Sequence, residues 1–97
     1  MHVLVNHSIS NPEGFWSLVK ANPAMPEGFT VQSLMAGTNP SEAACLWNAP
    51  DADSLKAMME GMFSGLCTNT YMAINDEISF GLPEAISAPK DMEGSHI

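Results

Sequence analysis

The sequence predicts a single α+β domain in which four strands and two helices follow one another in the order β-α-β-β-α-β. Three observations carry this prediction. The chain has 97 residues, which is the size of one domain. Four short segments alternate between apolar and polar residues as half-buried strands do, and two segments between them repeat apolar residues at helical spacing.

The first strand and the first helix are marked by the residues at their junction. Residues 2–9 alternate in polarity and are rich in β-branched side chains, which predicts a strand. Asn11 and Pro12 then supply an N-cap and a proline at the first helical position, and Glu13 places an acid where the helix dipole favours one. The helix is predicted to run to about Lys20, with an apolar stripe of Phe15, Leu18 and Val19.

The middle of the chain predicts a hairpin and a second helix. Residues 29–36 and 42–49 alternate as strands, and residues 37–41 between them have the composition of a turn. The alternation of the first of these strands groups Phe29, Val31, Ser33 and Met35 on one face. Pro50 and Asp51 mark the start of a helix that ends at Gly65, and its apolar stripe is Leu55, Met58, Met59 and Met62.

The end of the chain predicts a fourth strand at residues 68–74 and a loosely organised extension. The domain then covers residues 1–76, and residues 77–97 form a C-terminal extension interrupted by Pro83 and Pro89. This extension is too polar and too broken for a core element, so we expect it to pack along a partner subunit.

Right-handed crossovers in this order place both helices on one face of a four-stranded antiparallel sheet, which is the ferredoxin-like arrangement. The other sheet face is left uncovered. Only 14% of the residues are charged while 45% are hydrophobic, and so short a chain buries too little surface to be robust alone. We therefore expect a homodimer or a higher homo-oligomer in which uncovered sheet faces meet, with any ligand cavity against the sheet.

The charge balance excludes several classes of partner. Lys20, Lys56 and Lys90 are the only cationic side chains besides the histidines, and the formal net charge is −8. Nucleic acid and anionic ligands both require more basic groups than this, so a small, neutral, mostly apolar ligand is expected. The sequence has neither 18 consecutive apolar residues nor a signal-peptide pattern, which predicts a cytoplasmic protein without a membrane partner.

Two stretches resemble a known superfamily. NHSISN at residues 6–11, followed by Phe15 and Trp16, and CLWNAP at residues 45–50 are similar to the dimeric α+β barrel superfamily, in particular to its antibiotic biosynthesis monooxygenase-like members. The resemblance covers about residues 2–76. It implies a dimeric, cofactor-free monooxygenase or isomerase acting on a small aromatic or enolisable substrate. Because the superfamily includes members without known activity, a non-catalytic binding or oligomerisation module is the alternative.

His7 is the candidate catalytic residue. It lies at the end of the first strand on the face of Val3 and Val5, and an imidazole with an ordinary pKa of about 6.5 can act as a general base. Asn6 points to the opposite face of an ideal strand. If the helices cover the face of His7, the sequence favours a purely structural histidine; if they leave it uncovered, His7 lines the cavity.

Trp47, Tyr71 and Cys45 are the candidates for substrate binding. Trp47 shares a strand face with Cys45, and an indole at a cavity wall can stack on a flat ligand while its N–H makes one polar contact. The alternative is that Trp47 only fills the core. Tyr71 on the fourth strand can donate its hydroxyl to a substrate oxygen, or can simply be half exposed.

No cofactor and no metal site is expected. Neither Cys-x-x-Cys nor His-x-x-x-His spacing occurs, although a transition-metal site assembled between strands is a further alternative. Cys45 and Cys67 are predicted to be buried thiols rather than a disulfide, as is usual in a reducing compartment. Asp76 and Glu77 are adjacent, so they form either a carboxylate pair or a solvated turn.

Overall fold

The computed structural model describes residues 1–83, and in this range four strands and two helices follow the predicted order. They are β1 (His2–Ile9), α1 (Pro12–Ala21), β2 (Thr30–Ala36), β3 (Glu42–Asn48), α2 (Ala52–Met62) and β4 (Cys67–Ala73). Each strand lies within one residue of its predicted bounds, and α2 is shorter than predicted at both ends. The predicted extension at residues 77–97 is described only as far as residue 83, so its packing on a partner lies outside the described residues.

The strands form one antiparallel sheet in the order β2-β3-β1-β4. β1 is central and pairs with β3 on one side and with β4 on the other, so that Val5 lies opposite both Cys45 and Tyr71. This α+β architecture, with two helices and four antiparallel strands, is compatible with the ferredoxin-like arrangement that the sequence predicts.

Both helices begin with the caps that the sequence indicates. The Asn11 side chain accepts a hydrogen bond from the Gly14 backbone N–H at 3.0 Å, with Pro12 at the first helical position. The Asp51 side chain accepts from the Ser54 backbone N–H at 2.6 Å. These bonds satisfy backbone donors that have no partner within the helix.

The helices cover the sheet face that carries Val3, Val5 and His7. Every second residue of β1 is buried on this face, and the ring centroids of His7 and Phe15 lie 5.2 Å apart. The Phe63 ring, at the end of α2, lies 5.2 Å from Phe15 and 6.5 Å from His7. The covered face is therefore the core of the molecule, and both helices contribute an aromatic ring to it.

A bulge in β2 corrects the predicted grouping of its side chains. The register shifts between Val31 and Ser33, so Val31 lies opposite Trp47 while Leu34 lies opposite Cys45. The extra residue changes which side chains share a face. Val31 and Leu34 thus lie on the covered face, whereas Ser33 and Met35 lie on the uncovered one, and the predicted grouping of Val31 with Ser33 and Met35 is wrong.

The uncovered sheet face is mixed rather than purely apolar. The pairing and the alternation of the strands assign to it His2, Leu4, Asn6, Ser8, Thr30, Ser33, Met35, Glu42, Ala44, Leu46, Asn48, Thr68, Thr70 and Met72. Met35 and Met72 are half exposed on it, whereas His2, Leu46 and Asn48 are buried, so this face is open to solvent only in part. Glu42 is the one acidic residue in this set of strand positions, so the acidity of the chain is concentrated elsewhere.

Candidate functional site

A cavity of about 180 Å³ lies between the helices and the sheet, on the covered face. Its mouth is at the edge strand, where Val31 and Leu34 line the cavity and keep exposed fractions of 43% and 37%. The apolar wall is formed by Phe15, Val19, Pro23, Met25, Val31, Leu34, Met59 and Phe63. The polar side chains of the lining are His7, Cys45, Trp47 and Asn22, and no charged side chain of the described residues takes part.

His7 lies at the inner end of this cavity and is only 4% exposed. Its Nδ1 is 2.6 Å from Oδ1 of Asn69, and its Nε2 is 3.1 Å from Sγ of Cys45. Burial lowers the pKa of His7 from its ordinary value of 6.5, and the hydrogen bond to Asn69 partly opposes this effect. His7 is therefore a neutral imidazole at pH 7.

The structure combines the two geometries that the sequence presents as alternatives for His7, and whether His7 is purely structural stays a prediction. The helices do cover this face, yet they leave a cavity between themselves and the sheet, and His7 lines it. The sequence places His7 on the correct face of β1. The sequence contains no local signal for the cavity that the helices enclose beside His7.

Cys45 is a free thiol that contacts His7 across two paired strands. Burial raises the pKa of Cys45 to about 12, and the nearby Trp47 indole and Cys67 thiol have smaller, opposing effects. A thiol with so high a pKa beside a histidine with a lowered pKa is a neutral S–H···N pair, not a thiolate–imidazolium pair. Cys45 thus donates to His7 Nε2, and His7 is the proton acceptor of this pair.

Trp47 also lines the cavity and is 2% exposed. Its Nε1 is buried and has no acceptor at hydrogen-bonding geometry, although the indole is close enough to Cys45 to affect the pKa of the thiol. A buried donor without an acceptor costs free energy. A ligand oxygen in the cavity is the kind of acceptor that removes this cost.

Tyr71 does not line the cavity but is connected to His7 through Asn69. Asn69 Nδ2 donates to the Tyr71 hydroxyl oxygen at 3.2 Å and to Glu60 Oε2 at 3.4 Å. The Tyr71 hydroxyl in turn donates to Glu60 Oε2 at 2.8 Å. Burial raises the pKa of Tyr71, and the adjacent Glu60 raises it further, so the phenol keeps its proton. Its predicted role as a direct donor to substrate stays untested.

Asn69 and Glu60 were not identified from the sequence. Asn69 shares a strand face with Tyr71, two residues away, and lies opposite His7 in the sheet. The spacing of Asn69 and Tyr71 is visible in the sequence, but their approach to His7 depends on β4 pairing with β1. Glu60 lies on α2, and its contact with Tyr71 depends on how α2 and β4 pack.

The remaining candidate groups lie away from the cavity. The Asp76 carboxylate oxygens lie 3.1 and 3.2 Å from His2 Nδ1, so the contact found for Asp76 is with a histidine. Among residues 1–83, no three His, Cys, Asp or Glu side chains are placed to hold a metal ion together. In the same range no helix is long and apolar enough to cross a membrane. Cys67, the second free thiol, is half-buried beside Asn69 rather than fully buried as predicted.

Comparison of this chain with protein-family models, with curated proteins and with solved structures finds no match. The superfamily resemblance therefore stays a prediction from the sequence. The lining and the hydrogen bonds of the cavity are the observations that bear on function.

Proposed function

We propose that this protein binds a small, neutral, mostly apolar molecule in the cavity under its helices, and that His7 accepts a proton from it. The observation that carries the proposal is the neutral imidazole of His7, buried at the inner end of an apolar cavity that has no charged side chain among its described lining residues. An anionic ligand would lose its hydration there without gaining a cationic partner.

The cavity offers such a ligand two polar contacts. Because Asn69 Oδ1 accepts from His7 Nδ1, the lone pair of Nε2 faces Cys45 at the cavity wall, and a ligand proton reaches it when the Cys45 S–H turns away. Trp47 Nε1 provides a donor that has no acceptor at hydrogen-bonding geometry among residues 1–83, although it lies near the Cys45 thiol. A ligand with an acidic C–H or O–H and a nearby carbonyl oxygen satisfies both groups, and flat aromatic rings suit a lining of Phe15 and Phe63.

The chemistry is proton transfer by a general base. His7 Nε2 takes the proton of a carbon next to a carbonyl group, the C–H electron pair moves into the enolate, and Trp47 N–H donates to the enolate oxygen. Return of the proton to a different carbon gives an isomerase. If dioxygen is the second substrate, the enolate carbon transfers its electrons to dioxygen and forms a C–O bond, and the resulting hydroperoxide takes up the proton from His7. Loss of water from this hydroperoxide, with the remaining hydrogen of the same carbon, leaves a new carbonyl group, so that one oxygen atom enters the product of this cofactor-free monooxygenase and the other leaves as water.

The proposal includes a homodimer formed through the uncovered sheet face. This face carries exposed methionines at positions 35 and 72 and one acidic strand residue, Glu42. Two copies of an acidic chain can therefore meet there without bringing most of their negative charges together. The helices already enclose the cavity, so His7 does not require a residue from the second copy.

The test uses 2-tetralone, a neutral aromatic ketone with exchangeable C–H groups next to its carbonyl. Hydrogen–deuterium exchange at these positions in D2O is followed by proton NMR with and without the protein. We expect the protein to accelerate exchange above the buffer rate. His7→Gln should abolish the acceleration, and Trp47→Phe should weaken it because the donor to the enolate oxygen is lost.

His2→Gln is the matched control, because His2 lies on the same strand but on the opposite face of the sheet. The His2→Gln variant should accelerate hydrogen–deuterium exchange of 2-tetralone as much as the unmodified chain does. Binding is measured separately with 2-naphthol through the NMR signals of the Trp47 and His7 rings. Binding without exchange would support the non-catalytic binding module, and unchanged signals with both compounds would overturn the proposal.

A further inference from the structure

Glu60 is an exposed residue of α2 that lies outside the cavity, yet it is the end of a hydrogen-bond chain that reaches His7. The chain runs from the Glu60 carboxylate to the Tyr71 hydroxyl, to the Asn69 amide and to His7 Nδ1. Its members come from α2, β4 and β1. Each of the other three members can both donate and accept, so the direction of the chain has to be set by Glu60.

The carboxylate sets this direction because it is the only member that can accept but not donate. The Tyr71 hydroxyl must give its hydrogen to Glu60 Oε2, at 2.8 Å, and so offers its oxygen lone pairs to Asn69. Asn69 Nδ2 then donates both to Tyr71 and directly to Glu60. The amide is thereby oriented with Oδ1 toward His7.

The orientation of the amide decides which nitrogen of His7 carries the proton. Oδ1 is an acceptor only, so at 2.6 Å it requires a hydrogen on His7 Nδ1. The neutral ring has one such hydrogen, and Nε2 keeps its lone pair on the side of Cys45 and the cavity. The Cys67 thiol also donates to Oδ1, at 3.2 Å, and supports the same orientation.

Without the Glu60 carboxylate, a chain of hydrogen bonds running in the opposite direction also satisfies Tyr71, Asn69 and His7. Tyr71 would donate to Asn69 Oδ1, the reversed amide would donate to His7 Nδ1, and the ring hydrogen would move to Nε2. The Cys45 sulfur would become its acceptor. The base that faces the cavity would then be blocked by its own proton.

We propose that Glu60, acting through Tyr71 and Asn69, is a positioning residue that holds the proton of His7 on Nδ1 and keeps Nε2 available as the base. The inference rests on the proposed function in one respect only, namely that a ligand in the cavity gives its proton to Nε2. The tautomer itself is a property of the ligand-free protein and is tested without any ligand.

The experiment is a long-range proton–nitrogen NMR correlation of the ligand-free protein at about pH 8, where His7 is neutral because its pKa lies below 6.5. The nitrogen shifts distinguish a protonated ring nitrogen from one with a free lone pair. In the unmodified chain we expect Nδ1 to be the protonated nitrogen, in at least about tenfold excess. In Glu60→Gln the excess should fall to about threefold or less, since a carboxamide can donate as well as accept.

Glu13→Gln is the matched control. Glu13 is also an exposed acidic residue of a helix, but it lies in the first turn of α1 and is not part of the hydrogen-bond chain to His7. It should leave the tautomer unchanged. Glu60→Leu, which removes the acceptor altogether, should shift the tautomer in the same direction as Glu60→Gln. Both changes are at an exposed position, so the fold is expected to survive them.

Two results would overturn the inference: a proton on Nε2 in the unmodified chain, or a tautomer that does not respond to either change at Glu60. Its failure is distinguishable from failure of the proposed function. A correct tautomer with no exchange of 2-tetralone would contradict only the chemistry, whereas exchange that survives Glu60→Gln with an unchanged tautomer would contradict only the role of Glu60.

Discussion

At the scale of single residues, His7 combines burial with hydrogen bonding to two uncharged neighbours. The Asn69 amide and the Cys45 thiol contact its two ring nitrogens, and the aromatic rings of Phe15 and Phe63 pack beside it. None of these groups carries a charge that would stabilise an imidazolium ion. The lowered pKa of His7 follows from this environment.

The lowered pKa predicts a pH dependence of stability. Below pH 6.5 the unfolded chain binds a proton at His7 more readily than the folded chain does, so the free energy of unfolding must fall as the pH falls. The contribution of His7 is complete above pH 6.5 and is lost as the pH drops through the pKa of the folded state. Urea denaturation between about pH 7 and about pH 5 should show a steeper loss for the unmodified chain than for His7→Gln. Parallel curves would contradict the prediction.

At the scale of elements, two helical glycines have opposite surroundings. A methyl group at Gly61 of α2 would meet no atom within 4 Å. At Gly14 of α1 it would lie 2.9 Å from the Asn11 side chain that caps the helix and 2.9 Å from Leu66. Helix propensity alone favours alanine at both positions. Comparing the alanine substitutions at the two glycines therefore distinguishes the effect of helix propensity on stability from the effect of packing.

We expect Gly61→Ala to raise the free energy of unfolding by about 0.5 to 1 kcal/mol, because alanine loses less backbone entropy on folding. Gly14→Ala should lower it, because the new methyl group displaces the Asn11 amide from the Gly14 N–H that it caps. Thermal and urea denaturation of both variants measure the two changes. A stabilising Gly14→Ala would show that the cap moves aside without cost.

Local sequence patterns are sufficient to predict the start of a helix but not the pairing of a strand. Asn11 with Pro12 predicts the start of α1 because a cap is made within one turn, and the structure contains that cap. The bulge at residue 32 depends on how β2 pairs with β3, and the alternation of β2 alone predicts the wrong faces for Ser33 and Met35.

At the scale of the whole molecule, the two faces of the sheet have different uses. One face and the helices enclose the core and the cavity, and we propose that the other face forms the interface with a second copy of the chain. We expect a dimer in sedimentation velocity experiments, favoured by salt because each chain carries a formal charge of −8.

Met35→Lys combined with Met72→Lys should weaken this dimer, since both side chains are half exposed on the uncovered face. Ser17→Lys combined with Ala57→Lys adds the same charge at exposed positions of the two helices and should leave the dimer intact. A monomer in the unmodified chain, or equal effects of the two kinds of change, would contradict the sheet-to-sheet interface.

The sequence by itself determined the order of the elements, the caps of the helices and the strand face that carries His7, because these depend on contacts a few residues apart along the chain. The same periodicity placed Cys45 and Trp47 together on one face of β3. These are local properties, and the structure contains each of them.

Only the tertiary structure decided that His7, Cys45 and Asn69 are in contact, because this depends on β1 lying between β3 and β4. It also decided that the helices leave a cavity beside His7 and that Glu60 reaches Tyr71. The physical reason is that empty volume and contacts across the sheet arise from how whole elements pack, which no short stretch of sequence encodes.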